Sequence, residues 1–355
     1  MGKRSRDEAK RRAARLREVL EGATRVWILM HDAPDPDSLS AALCLREIIC
    51  GPFGMDARIT HGGVIGRPDN RSMVELLDIP LTHVSAVAPE AGECFVCVDT
   101  QPGFTNNSLP QGADVRAVID HHEVEEKPDA PYVDLRTQYG ATVTMLSEYV
   151  TALGVKVDPR IATAVAFGIL SETEDLGRMV SSADLRAYMG VLPKVDHVLL
   201  GRMRHPRVER RFFSTLAAAL ESAQVCRDAV VCHLVELNAA DDLARVADTL
   251  NSIAGSRWVL CSGGWDDSIL LCLRTSDTEA DAAQVLERVM AGRGGFGGHG
   301  MMAGGRLDAD ERSDHAAMRR EITRTFLGEL GYDADCPLEP LLVPAPEEMI
   351  PDELQ

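Results

Sequence analysis

Short apolar runs alternate with longer segments of helical periodicity along most of the chain. Residues 26–30, 94–98 and 115–119 are almost wholly apolar, and each run ends at a histidine or an acid. Strands buried on both faces of a parallel sheet read this way. Residues 57–61 predict a shorter strand. Residues 39–49, 72–77, 140–153 and 161–170 predict helices. In 140–153, Ala141, Met145 and Tyr149 form one stripe, with Val143, Leu146 and Val150 beside it. Residues 3–22 predict a helix rich in Arg, Lys and Glu, with Ala9, Ala13, Leu16 and Leu20 near one face. Its basic run reads as a solvated surface; contact with nucleic acid is the less favoured reading.

This alternation predicts an α/β protein with a doubly wound, mostly parallel sheet over residues 25–195. The basic helix precedes it at 1–24. Residues 196–225 turn charged and helical and predict a connector. A smaller α/β unit follows at 226–335, with strands at 230–234, 258–261 and 269–273 and helices at 240–253 and 280–290. Residues 336–355 are acidic and proline-rich and predict a poorly ordered or surface-wrapped tail. No internal repeat is present.

Length and composition narrow the picture. A chain of 355 residues suggests two domains, or three. No stretch has 18 consecutive apolar residues, and the charged N-terminus lacks the apolar region of a secretory signal. Nine cysteines without framework spacing fit a reducing cytoplasm better than a disulfide scaffold. Cys94 and Cys97 read as buried thiols rather than a redox pair. The net charge of -18 disfavours long duplex nucleic acid and favours a short phosphorylated substrate held by metal.

The ends of the apolar runs carry the candidate chemistry. His31, Asp35 and Asp37 follow the first run, Asp99 the next, and Asp120, His121 and His122 the third. Glu172 follows residues 161–170. Pro34 and Pro36 predict that the first acids sit in a loop. Parallel strands bring such residues to one sheet edge, where ligands bind. Carboxylates and imidazoles there suit Mn²⁺ or Mg²⁺ better than structural zinc. Any one of these acids alone would read as a loop or capping residue; together they do not.

Residues 292–305 hold eight glycines with His299, Phe296, Met301 and Met302 embedded. The stretch reads as an anion-binding loop rather than a linker, with Arg274 near it as a phosphate contact. Residues 62–71 read either as a phosphate cradle or as a turn into a helix.

Taken in order, these motifs resemble the DHH phosphoesterase superfamily, with a DHH domain followed by a DHHA1 domain. The nanoRNase-type oligoribonuclease/pAp phosphatases are nearest, and RecJ exonucleases more distant. Asp120-His121-His122 is the naming motif. His31, Asp35 and Asp37 match the first motif and Asp99 the second. Gly297-Gly298-His299 with Ala303-Gly304, preceded by Arg274-Thr275, matches the DHHA1 signature.

The resemblance implies two Mn²⁺ ions, with Mg²⁺ or Co²⁺ as substitutes. His31, Asp35 and Asp99 would hold one; Asp37, Asp99, His121 and a fourth-motif acid would hold the other. Asp120 would orient His121, and His122 would contact the phosphate. Arg274, Gly297, Gly298 and His299 would bind the far end of the substrate. One departure stands out. Ser171-Glu172-Thr173-Glu174 replaces the usual Thr-Asp-Thr-Gly, so Glu172 is the expected ligand, with Glu174 or Asp175 as alternatives.

The implied function is metal-dependent hydrolysis of short RNA, linear dinucleotides or pAp. The alternatives are a nucleotide-binding regulatory module that has lost turnover, and a pyrophosphatase-like enzyme. No membrane partner is expected, and a homodimer is compatible with the sequence.

Overall fold

The computed structural model describes residues 2–124, 126–308, 315–333 and 336–343. Two compact units divide the chain, 1–207 and 208–355.

The first unit comprises α1 (Lys3–Leu20), β1 (Arg25–Leu29), α2 (Pro36–Cys50), β2 (Ala57–His61), α3 (Pro68–Leu76), β3 (Leu81–His83), β4 (Glu93–Val98), β5 (Val115–Asp120), β6 (Tyr132–Leu135), α4 (Thr142–Leu153), α5 (Pro159–Glu172), α6 (Ser182–Val191) and α7 (His197–Arg204). Its strands form one parallel sheet in the order β3-β2-β1-β4-β5-β6. Strand order reverses between β1 and β4, and open α/β sheets bind ligands just outside such a reversal.

Alternation along β1 separates the two faces. Val26 and Ile28 enter the large helical core, while Trp27 and Leu29 enter a smaller cluster closed by loop residues. α2 packs against both α4 and α5 and is buried on nearly every side. That explains its weak amphipathic pattern, since a helix enclosed on all sides has no polar face.

The prolines act differently from the loop expected around Asp35 and Asp37. Pro36 is the first residue of α2, Asp35 caps it, and Asp37 lies in its first turn. The first helical position has an orphan N–H in any case, so proline is welcome there.

The second unit comprises α8 (Arg210–Ser222), β7 (Gln224–Cys226), β8 (Ala229–Leu234), α9 (Ala240–Asn251), β9 (Trp258–Trp265), β10 (Ser268–Thr275), α10 (Ala282–Met290), β11 (Gly295–His299), β12 (Met302–Asp308), α11 (His315–Glu329) and β13 (Glu339–Pro340). The sheet order is β11-β12-β10-β9-β8-β7-β13, with only β8 and β9 parallel. One core lies under α10 and α11, the other under α8 and α9. Residues 196–225, expected as one connector, divide between the units: α7 packs on α3 and α5, and α8 on β8.

Two further expectations change here. The glycine-rich stretch is a hairpin, β11–β12, rather than a loop. A Cβ on Gly298 would come within 2.4 Å of the Met302 carbonyl, and one on Gly305 within 2.4 Å of Met290 Sδ. The described part of the tail contains a two-residue strand. β13 pairs with β7, and Cys336 forms a disulfide with Cys226. These cysteines are 110 positions apart in sequence, and only the fold brings their Cα atoms to 6.3 Å. Residues 344–355 lie outside the described residues.

A buried ion network fixes α1 and α4 to the sheet. Asp134 on β6 accepts from both Nε and Nη2 of Arg136, at 2.9 and 2.7 Å, from Tyr149 Oη and from Arg12. Replacing Asp134 by alanine leaves the buried Arg136 guanidinium poorly compensated. Asp134→Ala is expected to cost about 3–5 kcal/mol in urea unfolding, whereas a loss below about 1 kcal/mol would contradict this account.

Candidate metal centre

The candidate ligands in the first unit sit at the carboxyl edge of the sheet, on the helix α2 that starts there, or, for Glu172, at the last residue of α5. His31 follows β1, Asp99 follows β4, and Asp120 ends β5. Asp99 has φ +58, a left-handed conformation rare outside glycine. Its backbone N–H still donates to Ile119 O at 3.0 Å, so the strand pairing holds while the side chain swings toward its neighbours.

Asp99 is the centre of the cluster. His31 Nε2 lies 3.7 Å from its Oδ2, and His121 Nε2 lies 3.7 Å from its Oδ1. Thr142 Oγ1 donates to the same Oδ1 at 2.7 Å. Two groups of donor atoms could hold a metal ion, His31/Asp35/Asp99 and Asp99/His121/His122. Asp99 belongs to both.

Hydrogen bonds set the histidine tautomers. His31 Nδ1 donates to the Asp32 carbonyl at 2.9 Å, and His121 Nδ1 to the Tyr139 carbonyl at 3.0 Å. Each Nε2 then faces Asp99 and is the ring atom placed to bind a cation. His121 Nε2 is buried with no hydrogen-bond partner. An orphaned imidazole lone pair among carboxylates is the donor set of a divalent cation, so the residues fit a metal.

Asp120 differs from its expected role. Its Oδ1 accepts from the His122 ring at 2.8 Å and from the backbone N–H groups of His121 and His122. The ring it orients is therefore that of His122. Gln101 Nε2 braces its other oxygen at 2.8 Å.

Asp37 is fully buried, and both its oxygens accept backbone N–H groups at the start of α4, Thr142 at 2.7 Å and Val143 at 2.8 Å. A helix N-terminus is a favourable place for a carboxylate. Glu172 ends α5 and belongs to neither donor group, though its charge acts on Asp37. Glu174 pairs with Arg178 at 3.0 Å and Asp175 with Arg204 at 2.5 Å, both at the surface. Of the three acids weighed for the fourth motif, only Glu172 faces the cluster.

The electrostatics follow from this crowding. Burial, then Asp99 and Glu172, lifts Asp37 well above the usual carboxylate range. Burial, with Asp35 and Asp99, pushes Glu172 up to about 8. Burial opposes charge on His31, but Asp35 and Asp99 outweigh it and push the imidazole up to about 10. Burial likewise opposes charge on His122, yet Asp120 and Asp99 bring it to about 9. Without a cation, the cluster keeps protons to offset its own charge.

Sequence reasoning missed Thr142, Gln101 and the Tyr139 carbonyl. Thr142 has only its place at the first turn of an apolar helix as a signal. The other two act from loops that carry none.

In the second unit, Arg274 near the end of β10 is buried. Its Nε donates to Asp248 at 2.7 Å and its Nη1 to the Leu273 carbonyl at 3.0 Å. Gly297 and Gly298 are exposed on β11. The backbone of His299 ends that strand; its side chain lies outside the described residues. In the 62–71 segment, Arg67 pairs with Asp69 at 3.0 Å and Arg71 bonds Gly66 O, and α3 begins at Pro68. Among the described residues, no helix is long and apolar enough to cross a membrane.

Residues 25–169 match the DHH family, N-terminal domain, and residues 228–323 match the DHHA1 domain. An uncharacterized protein of Methanocaldococcus jannaschii is 28% identical over 329 residues, 91% of this chain and 67% of that protein. The cyclic-di-AMP phosphodiesterase GdpP of Geobacillus thermodenitrificans is 26% identical over 325 residues, 84% of this chain and 47% of that protein. The chain thus spans about two thirds of one relative and about half of the other. A crystal structure of an exopolyphosphatase-related protein from Bacteroides fragilis shares the fold. Its TM-score is 0.73 at 14% identity, covering 90% of this chain and 96% of that one.

The raised pKa values generate a stability prediction. A carboxyl whose folded pKa is raised stabilises the fold below its ordinary pKa and loses that contribution as pH climbs to the folded value. For Glu172 the window runs from 4.5 to about 8. His31 and His122 act in the same direction above 6.5. Chelator-treated protein should therefore lose Tm steadily from pH 5 to 8, and a divalent cation should abolish the slope. A flat Tm in chelator would contradict the crowding argument.

Proposed function

The chain belongs to the DHH/DHHA1 phosphoesterase superfamily, and we propose on that premise that it hydrolyses short linear oligonucleotides or nucleotide phosphates using two Mn²⁺ ions. The observation that carries the reading is the placement of Asp99. One histidine Nε2 faces each of its two oxygens, so Asp99 would serve two cations at once. Phosphoester hydrolysis is the chemistry that paired divalent ions serve, by polarising the phosphate and lowering the pKa of a water.

His31, Asp35 and Asp99 make one ligand set. Asp99 and His121 make the core of the other, with the Asp37 and Glu172 carboxylates alongside. Glutamate is one methylene longer than aspartate, which suits its place at the end of α5. His122 carries a ring proton held on Asp120 and is assigned to the phosphate. The N-terminus of α4 fixes Asp37 and, through Thr142 Oγ1, Asp99, so the acids keep their positions when charge changes. In the second unit we assign the far end of the substrate to Arg274, Gly297, Gly298 and His299. Asp248 takes Arg274 Nε and the Leu273 carbonyl takes Nη1, which leaves Nη2 for a phosphate.

Asp99→Asn removes the shared charge while keeping the shape. With Mn²⁺, turnover of two- to five-nucleotide RNA, pApA and pAp is expected to fall by at least a thousandfold, while the circular dichroism spectrum is retained. Cyclic di-AMP and pyrophosphate complete the panel. Cleavage of pyrophosphate alone, or ordinary turnover by the variant, would refute the reading.

A further inference from the structure

Helix α1 buries a narrow face, Ala9, Ala13, Leu16 and Leu20, against the first unit. Apart from Arg4, which is exposed about 100° around the axis from Lys3, its cations fall into two sets. Arg11, Arg12 and Arg15 are ion-paired, to Glu8, Asp134 and Glu18. Lys3, Arg6, Lys10 and Arg17 are exposed and have no side-chain partner among the described residues. At 3.6 residues per turn, these four fall within an arc of about 60° and span about 21 Å along the axis. No acid lies inside that arc, and Asp7 borders it at about 40° beyond Lys3. A face serving solubility alone interleaves signs, as the paired side of this helix does. The stripe does not, in a chain whose net charge is -18.

Its position gives the stripe a use. α1 ends at Leu20, just before β1 starts at Arg25, so its C-terminus lies at the amino edge of the sheet. About two turns earlier, Arg12 reaches Asp134 on β6, which is in register with Ile119 beside Asp120. The nine residues before Arg12 therefore run about 13 Å further, past the carboxyl edge where the metal ligands stand. The apolar face of α1 is used up in packing, so the helix lacks the free apolar side that binding to a lipid surface requires. What remains is a row of cations on a helix whose N-terminal half extends toward that edge.

We propose that the Lys3–Arg17 stripe of α1 is a rail for the phosphate backbone of a single-stranded oligonucleotide whose reacting end lies at the metal centre. This rests on the phosphoesterase reading and narrows its substrate to strands that continue beyond the cleaved linkage. Backbone neutralisation is independent of sequence and falls with salt. The rail therefore confers length dependence without base preference. A strand of two or three nucleotides reaches few of its cations; one of about a dozen engages the row.

The test is fluorescence anisotropy on the full-length protein in chelator, with 5′-labelled single-stranded RNA of three and twelve nucleotides, at salt from 50 to 200 mM. The parent is compared with Lys3→Ala, Arg6→Ala, Lys10→Ala and Arg17→Ala combined. These positions are exposed and alanine favours helix, so the fold is kept. The parent should bind the 12-mer at least tenfold tighter than the 3-mer. The variant should lose that advantage, and its log K against log salt slope should flatten by about 2–3, at roughly 0.7 for each phosphate contact. Equal binding and slope in parent and variant would overturn the rail, as would tighter binding of inorganic polyphosphate than of RNA. Hydrolysis of the same RNAs with Mn²⁺ is scored separately. Binding through the stripe without cleavage of any oligonucleotide would leave the rail standing and refute the phosphoesterase substrate instead.

Discussion

Buried negative charge at one sheet edge is the constraint on which the first unit depends. Asp35, Asp37, Asp99, Asp120 and Glu172 act on one another across the cluster, and among the described residues no lysine or arginine is ion-paired with any of them, Arg178 acting on Glu172 only from its pairing with Glu174. Such charge is costly in a low-dielectric interior unless compensated. Three partial compensations are visible. The first turn of α4 donates N–H groups to Asp37, Gln101 and backbone amides hold Asp120, and imidazoles flank Asp99. None supplies a fixed positive charge. Divalent cations would complete the balance, and the raised pKa values mark where protons offset the charge.

The neighbouring architecture serves that edge. The reversal of strand order between β1 and β4 opens the crevice. α2, enclosed between α4 and α5, ties the Asp35–Asp37 turn to the helix whose N-terminus fixes Asp37 and Asp99. Asp184, at the start of α6, accepts from Gly140 N at 2.9 Å and so braces the turn that presents the Tyr139 carbonyl to His121. A Cβ at Gly140 would meet that carboxylate at 2.9 Å, so this position is closed to larger residues.

Much of this was legible in the sequence because burial writes a strong pattern. The runs at 26–30, 94–98 and 115–119 could only be interior strands, and the residues ending them had to share an edge. The parallel sheet and the α/β second unit followed from alternation. What stayed illegible was decided by tertiary contact. β3 and β6 are short edge strands with little apolar signal. The β11–β12 hairpin is built from glycine, which strands ordinarily avoid; here close strand approach and Met290 need it. Pro36 looked like a helix breaker and is a helix start. That Asp120 orients His122 and not His121 turns on which ring reaches its carboxylate, and no spacing rule separates adjacent histidines.

Titration of chelator-stripped protein with Mn²⁺, followed by electron paramagnetic resonance, tests the central claim most directly. The account predicts two ions per chain whose spins are coupled through a shared ligand, with the coupling lost in Asp99→Asn. A single uncoupled ion per chain, or coupling that survives removal of the Asp99 charge, would contradict it.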